Sequence, residues 1–494
     1  MAELQAAFIE GRSCAGRGAW VRRRGPLGTE RPAFRAASAD DVDQAMQSAA
    51  RAFPAWSRTP FAERLAVLER FAVAARARHE GLARILAEEV GKPLWECREE
   101  ASALAGKVEL TVRAFSERAS EKTTELAGFR GVQRFRPHGV FAVFSPYNLP
   151  MHLPNGHILP ALLGGNTVVL KSSELAPQSA MALVELLIEA GLPPEAIQLL
   201  PGERATGEAI VAHPLLRGLA FTGSSPTGRA IHRALGGRTE VISALEMGGN
   251  NPMLVLPDAD PSVMGPLVVL SSMLTSGQRC TSARRLIVPE GAAGDRIVDA
   301  VVQAAASIRI DRADAEDEPF CGPLVAPEAA DGVWRAWEAR VAAGARVLLP
   351  MTRLESLSPA ALTPGIVDAT GIALPDEEVF GPLLHVVRVP DFEAGLRVAA
   401  DTHYGLSAAL CGGGEADFAR FVEAVPAGIV NRNRPTNGAL STQPFGGNGW
   451  SGNHRPAGFT SVDYCVWAMA STESEAVALP ARMPPGFGPS APRA

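Results

Sequence analysis

No run of this sequence is apolar for long enough to cross a bilayer, and Met1 to Trp20 lacks the apolar block of a secretory signal. Both absences predict a cytoplasmic protein with no membrane partner. A basic surplus is missing as well. The 47 Lys and Arg stand against 53 Asp and Glu, a formal charge of -6, which offers no field to nucleic acid or an anionic membrane. Small molecules are the expected ligands. The six cysteines, Cys14, Cys97, Cys280, Cys321, Cys411 and Cys465, include no CxxC spacing. Neither a disulfide framework nor a zinc site is therefore expected, no metal is implied, and most of these thiols read as buried apolar fillers. No repeat of solenoid length is found.

What is present is a globular composition, 47% apolar and 20% charged, with side chains enough for a large core. A length of 494 residues is too great for one ordinary core and predicts two or three domains. From Asp40 to Ala105, runs of Ala, Leu, Arg and Glu predict a helical layer. From Glu117 to Pro137 the chain turns polar and extended. Strand-like and helix-like segments then alternate: FAVFSP, HILPALLGG, TVVLK, SAMALVELLIEAG, AIQLLPG, ERATGEAIVAH, GLAFTG, PTGRAIHRALG and VISALEMGG. Parallel neighbours need a crossover helix, so this spacing predicts a parallel, doubly wound sheet. A second series from about Pro252 to Val430, with NPMLVL, ARRLIVP, ARVLLP and HVVRV, predicts a second α/β domain, the two sheets facing a cleft. FTSVDYCVWAMAS reads as extended. The closing ALPARMPPGFGPSAPRA is a Pro-rich tail that cannot build a core, expected to be mobile or to lie along a neighbouring subunit.

Four segments carry chemistry. Ser276-Gly277-Gln278-Arg279-Cys280-Thr281 follows an apolar helix-like run, and a Gly-containing turn between packed elements holds a sulfur accessible. Arg279 beside it favours a thiolate. By residue type alone a free Cys is more often a core residue. Glu246, in Leu245-Glu246-Met247-Gly248-Gly249-Asn250, stands at a strand end, where α/β sheets meet their ligands, and suits a general base for water. Taken singly, a salt-bridged or capping Glu is commoner. Asn148 lies between Pro146 and Pro150 at the end of the first alternating strand. There its amide is a pre-organised donor to an oxyanion, or simply a turn Asn. Phe221-Thr222-Gly223-Ser224-Ser225-Pro226-Thr227-Gly228 runs from strand to helix start, whose free N–H groups suit a pyrophosphate. It is not GxGxxG, and many helix starts use Ser and Gly without a ligand.

In order and spacing, over nearly the whole chain, these segments resemble the aldehyde dehydrogenase superfamily. The likeness rests on PYN around Asn148, KSSE from Lys171 to Glu174, FTGSSPTG, LEMGG with Glu246, GQRC with Cys280, EEVFGPL from Glu377 to Leu383, HYGLSAAL from His403 and PFGG from Pro444 to Gly447. Departures are Ser172 for the usual Pro and Met247 for the usual Leu. The resemblance implies an α/β fold with three parts. A Rossmann-type, NAD-binding domain takes in residues 1–117 and 138–247, and an α/β catalytic domain residues 248–461. A small oligomerisation extension of strands and tail covers 118–137 and 462–494, with a homodimer or homotetramer expected. It also implies NAD(P)-dependent oxidation of a small-molecule aldehyde to a carboxylic acid. Cys280 is then the nucleophile that forms a thiohemiacetal and a thioester, Asn148 and the Cys280 N–H steady the oxyanion, and Glu246 activates water. Lys171 and Glu174 are expected on the adenosine ribose, Gly223, Ser224 and Gly228 at the pyrophosphate, and Glu378 with Phe380 at the nicotinamide ribose. A carboxylate at Glu174 repels a 2'-phosphate, so NAD is favoured, with NADP possible.

Narrower marks are YNLPMHLPNGH from Tyr147, Arg279 before the nucleophile, SGNHRP from Ser451 and DYC from Asp463. They resemble the branch of the superfamily that oxidises N-succinylglutamate 5-semialdehyde in arginine breakdown. For a substrate with several carboxylates, Arg279, His454 and Arg455 are the expected charged donors. For Arg455 a loop-tying role is the alternative. Departures from this branch are the amino-terminal RSCAGRGAWVRRRGPLGTERPAF and Asn448. Three other readings stay open: another acidic or small semialdehyde as substrate, a coenzyme A-acylating aldehyde dehydrogenase, and a non-catalytic scaffold that kept the fold.

Overall fold

The computed structural model describes residues 4–479 and 483–487. Ser38 opens the first helix: its hydroxyl accepts the Asp41 N–H while the Asp41 carboxylate accepts the Ser38 N–H, a reciprocal cap. That helix, α1 (Ala39–Arg58), is followed by α2 (Phe61–Ala77), α3 (His79–Val90) and α4 (Leu94–Arg118). Pro60 and Pro93 stand just before α2 and α4, and Gly91 ends α3 at φ 82°, so the helix breakers fall at the borders. Only Pro54 lies inside a helix of this layer. Leu68, Phe71, Leu86 and Leu104 point into the core beneath.

The first sheet begins with parallel strands Val140–Phe144, Thr167–Lys171, Ile197–Leu200, Leu216–Gly223 and Ile242–Met247. They alternate with α5 (His152–Leu163), α6 (Pro177–Glu189), α7 (Arg204–Ala212) and α8 (Ser225–Leu235). Val140–Phe144 is buried at every position, which is why it reads as an unbroken apolar run. From this central strand the chain steps outward through Thr167–Lys171 and Ile197–Leu200, then returns to the other side for Leu216–Gly223 and Ile242–Met247. Such a reversal opens a crevice beyond the carboxyl ends of Val140–Phe144 and Leu216–Gly223. An antiparallel hairpin, Ala7–Ile9 with Arg12–Cys14, extends the sheet beside Ile197–Leu200. The sequence does not announce it, because each strand has only three residues.

The second sheet orders its strands Arg346–Leu349, Gly365–Asp368, Leu383–Val389, Ala283–Pro289, Asn251–Val255, Ser407–Cys411 and Ile429–Arg432. All its pairings are parallel except that of the edge strand Arg346–Leu349. Four residues after leaving the first sheet at Met247, the chain enters the second at Asn251. The carboxyl end of one sheet thereby faces the amino end of the other across a short connection.

A third sheet stands apart, with Lys122–Leu126, Phe129–Pro137 and Val466–Glu473 in antiparallel register. The extended reading of FTSVDYCVWAMAS holds only from Val466, because Val462–Cys465 forms a helical turn. Tyr464 and Cys465 are buried there, and the turn points both inward where a strand would send one out. In the Pro-rich tail, residues 480–482 and 488–494 lie outside the described residues. Among the described residues no helix is long and apolar enough to cross a membrane.

Candidate active site

The turn that carries Cys280 follows α9 (Pro261–Met273). Thr275, Ser276 and Gly277 take φ of 57°, 54° and 72° in succession, a left-handed run costly for the two residues with side chains. Its surroundings hold it. The Thr275 hydroxyl donates to Glu96, the Ser276 hydroxyl donates to the Gly322 carbonyl at 2.6 Å, and Gln278 takes the Val325 N–H on its carboxamide oxygen at 3.1 Å. Gly277 abuts Gly381 so closely that an added Cβ would lie 2.2 Å from its carbonyl oxygen. Beyond the turn, the Asn251 amide donates to the carbonyls of Cys280 at 2.7 Å and Ser282 at 2.8 Å. The buried Arg284 guanidinium donates to the carbonyls of Arg279 and Gly381, both at 3.0 Å. The nucleophile's backbone is thus fixed from three sides.

Cys280, Glu246 and Asn148 line one cavity of about 920 Å³. The Asn148 amide donates to the Gln278 carbonyl at 2.9 Å, which ties one of its two N–H bonds and anchors it beside the nucleophile's turn. Burial, then the carboxyls of Glu378 and Glu246, push the Cys280 thiol up to about 12. Arg279 does not act as expected. Its guanidinium is committed to Glu96 at 2.6 Å and the Thr275 hydroxyl at 2.8 Å, so it steadies the turn instead of lowering the thiol. Burial also raises the Glu246 carboxyl well above the usual range, and its Oε2 has no hydrogen-bond partner. A Cβ on Gly446 would come within 2.5 Å of Glu246 Oε1, so the glycine leaves room for this carboxylate.

Lys171, Glu174, Gly223, Ser224, Glu378 and Phe380 line the same cavity. Lys171 donates to the Gly202 carbonyl at 2.6 Å. Ser224 precedes α8 without capping it, its hydroxyl donating instead to Thr227 Oγ1 at 3.0 Å. The first-turn N–H groups of α8 are left for an anion, as a pyrophosphate requires. Glu378, raised to about 7 by burial, takes the Gly249 N–H at 3.3 Å and stands 3.8 Å from Arg284. Its partner Phe380 meets Tyr147 edge to face with ring centres 6.0 Å apart. These residues fit a dinucleotide. Gly228 is set apart from them: a Cβ there would lie 2.3 Å from Met247 Sδ, so this glycine packs α8 onto Ile242–Met247 and does not line the cavity.

His454 and Arg455 are exposed and do not line the cavity either. What their motif contributes is Ser451 and Asn453. The Asn453 carboxamide takes the Leu245 N–H at 2.9 Å and donates to the Ser243 carbonyl at 2.8 Å. Ser451 accepts the Met247 N–H on its carbonyl at 2.9 Å and donates its hydroxyl to the Gly248 carbonyl at 2.7 Å. Both clamp the strand that presents Glu246. Sequence reasoning missed these two and also Glu96, Asn251, Gln278 and Arg284. The signal available was polar residues inside otherwise apolar or Gly-rich motifs.

The sequence matches the aldehyde dehydrogenase family over residues 27–468. It is similar to N-succinylglutamate 5-semialdehyde dehydrogenase of Paraburkholderia xenovorans, 47% identical over 490 residues that cover 99% of this chain and 100% of the relative. An NAD-dependent aldehyde dehydrogenase from Sinorhizobium meliloti has a similar structure, with a TM-score of 0.90 at 25% identity over 98% of this chain and 97% of that one. NADP-dependent glyceraldehyde-3-phosphate dehydrogenase from Bacillus halodurans, complexed with NADP, gives 0.88 at 26% identity, covering 95% and 99%. With its sulfur, carboxylate and carboxamide gathered at one crevice and this likeness running nearly end to end, the chain belongs to the aldehyde dehydrogenase family.

Proposed function

We propose that this enzyme oxidises N-succinylglutamate 5-semialdehyde to N-succinylglutamate with NAD, in arginine breakdown. The observation that carries the chemistry is the meeting of Cys280, Glu246 and Asn148 on one cavity. The substrate reading is supported by the likeness to the Paraburkholderia enzyme. The Cys280 sulfur adds to the aldehyde carbon, and the free N–H of Asn148 with the Cys280 N–H holds the oxygen that gains charge. The chemistry a bound nicotinamide dinucleotide would supply is acceptance of the hydride that this adduct must lose from its carbon to become a thioester. Lys171 and Glu174 would hold its adenosine ribose, Gly223 and Ser224 its pyrophosphate, and Glu378 with Phe380 its nicotinamide ribose. Glu246 then takes a proton from water, the water oxygen bonds to the acyl carbon, and the carbon–sulfur bond breaks to release the acid and the thiolate. A carboxylate base favours water over coenzyme A as the acceptor. Glu174 on the cavity wall favours NAD over its 2'-phosphate.

The enzyme is read as a cytoplasmic homodimer or homotetramer. Support for self-association is the exposed third sheet, where Leu126, Phe129 and Trp467 are 51%, 40% and 45% exposed. The test of the reaction is a panel of neutral and dicarboxylic aldehydes with NAD and NADP, with and without coenzyme A. The reading requires the highest kcat/KM for the N-succinylated semialdehyde with NAD and no dependence on coenzyme A. A preference for a neutral aldehyde would remove the substrate. Replacing Asn148 by Ala should lower kcat by about 10²- to 10³-fold with smaller change in KM, the loss seen when one oxyanion donor goes.

A further inference from the structure

Three cations act on His152, at the first turn of α5, through their charge, and two of them have their own carboxylates. His152 is held far below its usual range, at about 3, by burial and then by Lys107, Lys92 and Arg279 in turn. Lys92 is paired with Glu100, and Arg279 with Glu96. Lys107, on α4, meets no carboxylate among the described residues, and burial alone lowers it to about 8. Its ammonium reaches the α5 backbone one turn beyond His152, where Gly156 has no side chain. A Cβ there would sit 3.8 Å from Lys107 Nζ. The His152 Nδ1 is buried without a hydrogen-bond partner. A cation without a counter-ion next to an orphaned ring nitrogen is an unfinished arrangement, and a carboxylate completes it by accepting from both.

Its place relative to the chemistry is set by sequence neighbours. Arg279 immediately precedes Cys280, and Leu153, next to His152, lines the cavity with Asn148 and Cys280. The unpaired ammonium therefore stands on the α4–α5 side of the nucleophile.

We propose that Lys107, with His152 beside it, is the specificity-determining site for a carboxylate carried by the aldehyde substrate. This deepens the reading of an acidic semialdehyde and rests on it. It assigns to Lys107, set behind the cavity-lining Leu153, the role that the sequence suggested for His454 and Arg455, which the fold leaves exposed.

The test compares wild type, Lys107→Gln and Lys107→Arg. Steady-state constants are measured for the N-succinylated semialdehyde, for succinic semialdehyde and for hexanal, and the N-succinylglutamate trianion is titrated by calorimetry as a readout apart from turnover. Lys107→Gln should raise KM for the carboxylated aldehydes by about 10- to 100-fold and weaken binding of the N-succinylglutamate trianion alike, the loss of one charged hydrogen bond. The KM for hexanal should move much less, and Lys107→Arg should recover most of the loss. Equal changes for hexanal and the acidic aldehydes, or unchanged trianion affinity in Lys107→Gln, would overturn the proposal. Should wild type prefer succinic semialdehyde with the same dependence on Lys107, the site stands and only the named substrate is lost.

Discussion

At the scale of single residues, the resting site holds its reacting groups neutral. Burial, followed by two neighbouring carboxyls, places the Cys280 thiol near 12, and burial raises Glu246 well above the usual carboxylate range. A thiol at that value is about 10⁻⁵ ionised at pH 7, and the ionised sulfur is the nucleophile. Both shifts have the same sign for activity: each group favours its protonated form, and each must lose a proton to act. The profile of kcat/KM against pH should therefore climb through pH 6 to 9 without an acidic plateau near 5. A flat profile above pH 6 would show that the site ionises its thiol in another way. Replacing Glu246 by Gln removes the base and leaves the carboxamide nearly isosteric. The first turnover should still release one equivalent of NADH per site while steady-state turnover drops by about 10²- to 10⁴-fold. Rapid mixing checks this, and a first turnover slowed as much as the steady state would move Glu246 to the attack step. Of these residues, Cys280, Glu246 and Asn148 were legible because each sits in a motif at an element border. Glu96 and Asn251 were not, because a polar side chain 29 or 183 residues from its partner acquires its role only through tertiary packing.

Among the elements, the left-handed turn Thr275–Gly277 shows how fold becomes reactivity. Neither Thr275 nor Ser276 adopts φ near 55° readily, and each such residue costs about 1–3 kcal/mol. The turn persists because α4 supplies Glu96, the loop before the helix Pro327–Ala342 supplies Gly322 and Val325, and Gly381 closes from the far side. Gly277→Ala introduces a Cβ that cannot coexist with the Gly381 carbonyl as placed. The variant should melt at lower temperature and lose roughly 100-fold in kcat, the effect of shifting a nucleophile by about 1 Å. NAD affinity, read by fluorescence, should be kept, since the cofactor crevice is built mostly on the first sheet. Loss of NAD binding with the activity would mean that the turn shapes the whole cavity. The alternation of strands and helices was visible because parallel strands buried on both faces become apolar runs such as Val140–Phe144. The helical turn Val462–Cys465 was not, since four residues carry no period, and the amino-terminal hairpin was too short for alternation to register. His454 and Arg455 stood out in the sequence through their neighbours: Ser451 and Asn453, in the same motif, are the residues the fold uses.

For the whole molecule, the decisive feature is that two sheets meet end to end across residues 248–250, so the site exists only when both are folded. The third sheet contributes nothing to that meeting and is therefore free to serve another purpose. Its edge Lys122–Leu126 is exposed at every residue, yet it carries Leu126 and leaves one line of backbone N–H groups without partners among the described residues. An exposed edge of this kind is a template for another strand. The register specifies how to test it. Leu126 and Phe129 flank a hairpin of two loop residues, so they form a hydrogen-bonded pair, and the pairs alternate from there. Thr123 and Glu125 therefore turn their N–H groups outward. Thr123→Pro deletes an outward donor while sparing the pairing with Phe129–Pro137. Light scattering after size exclusion should then report a smaller species than wild type, and circular dichroism should report the same secondary structure. An oligomer of unchanged mass would show that subunits meet through a different face, and a wild type that is already monomeric would leave this edge to solvent.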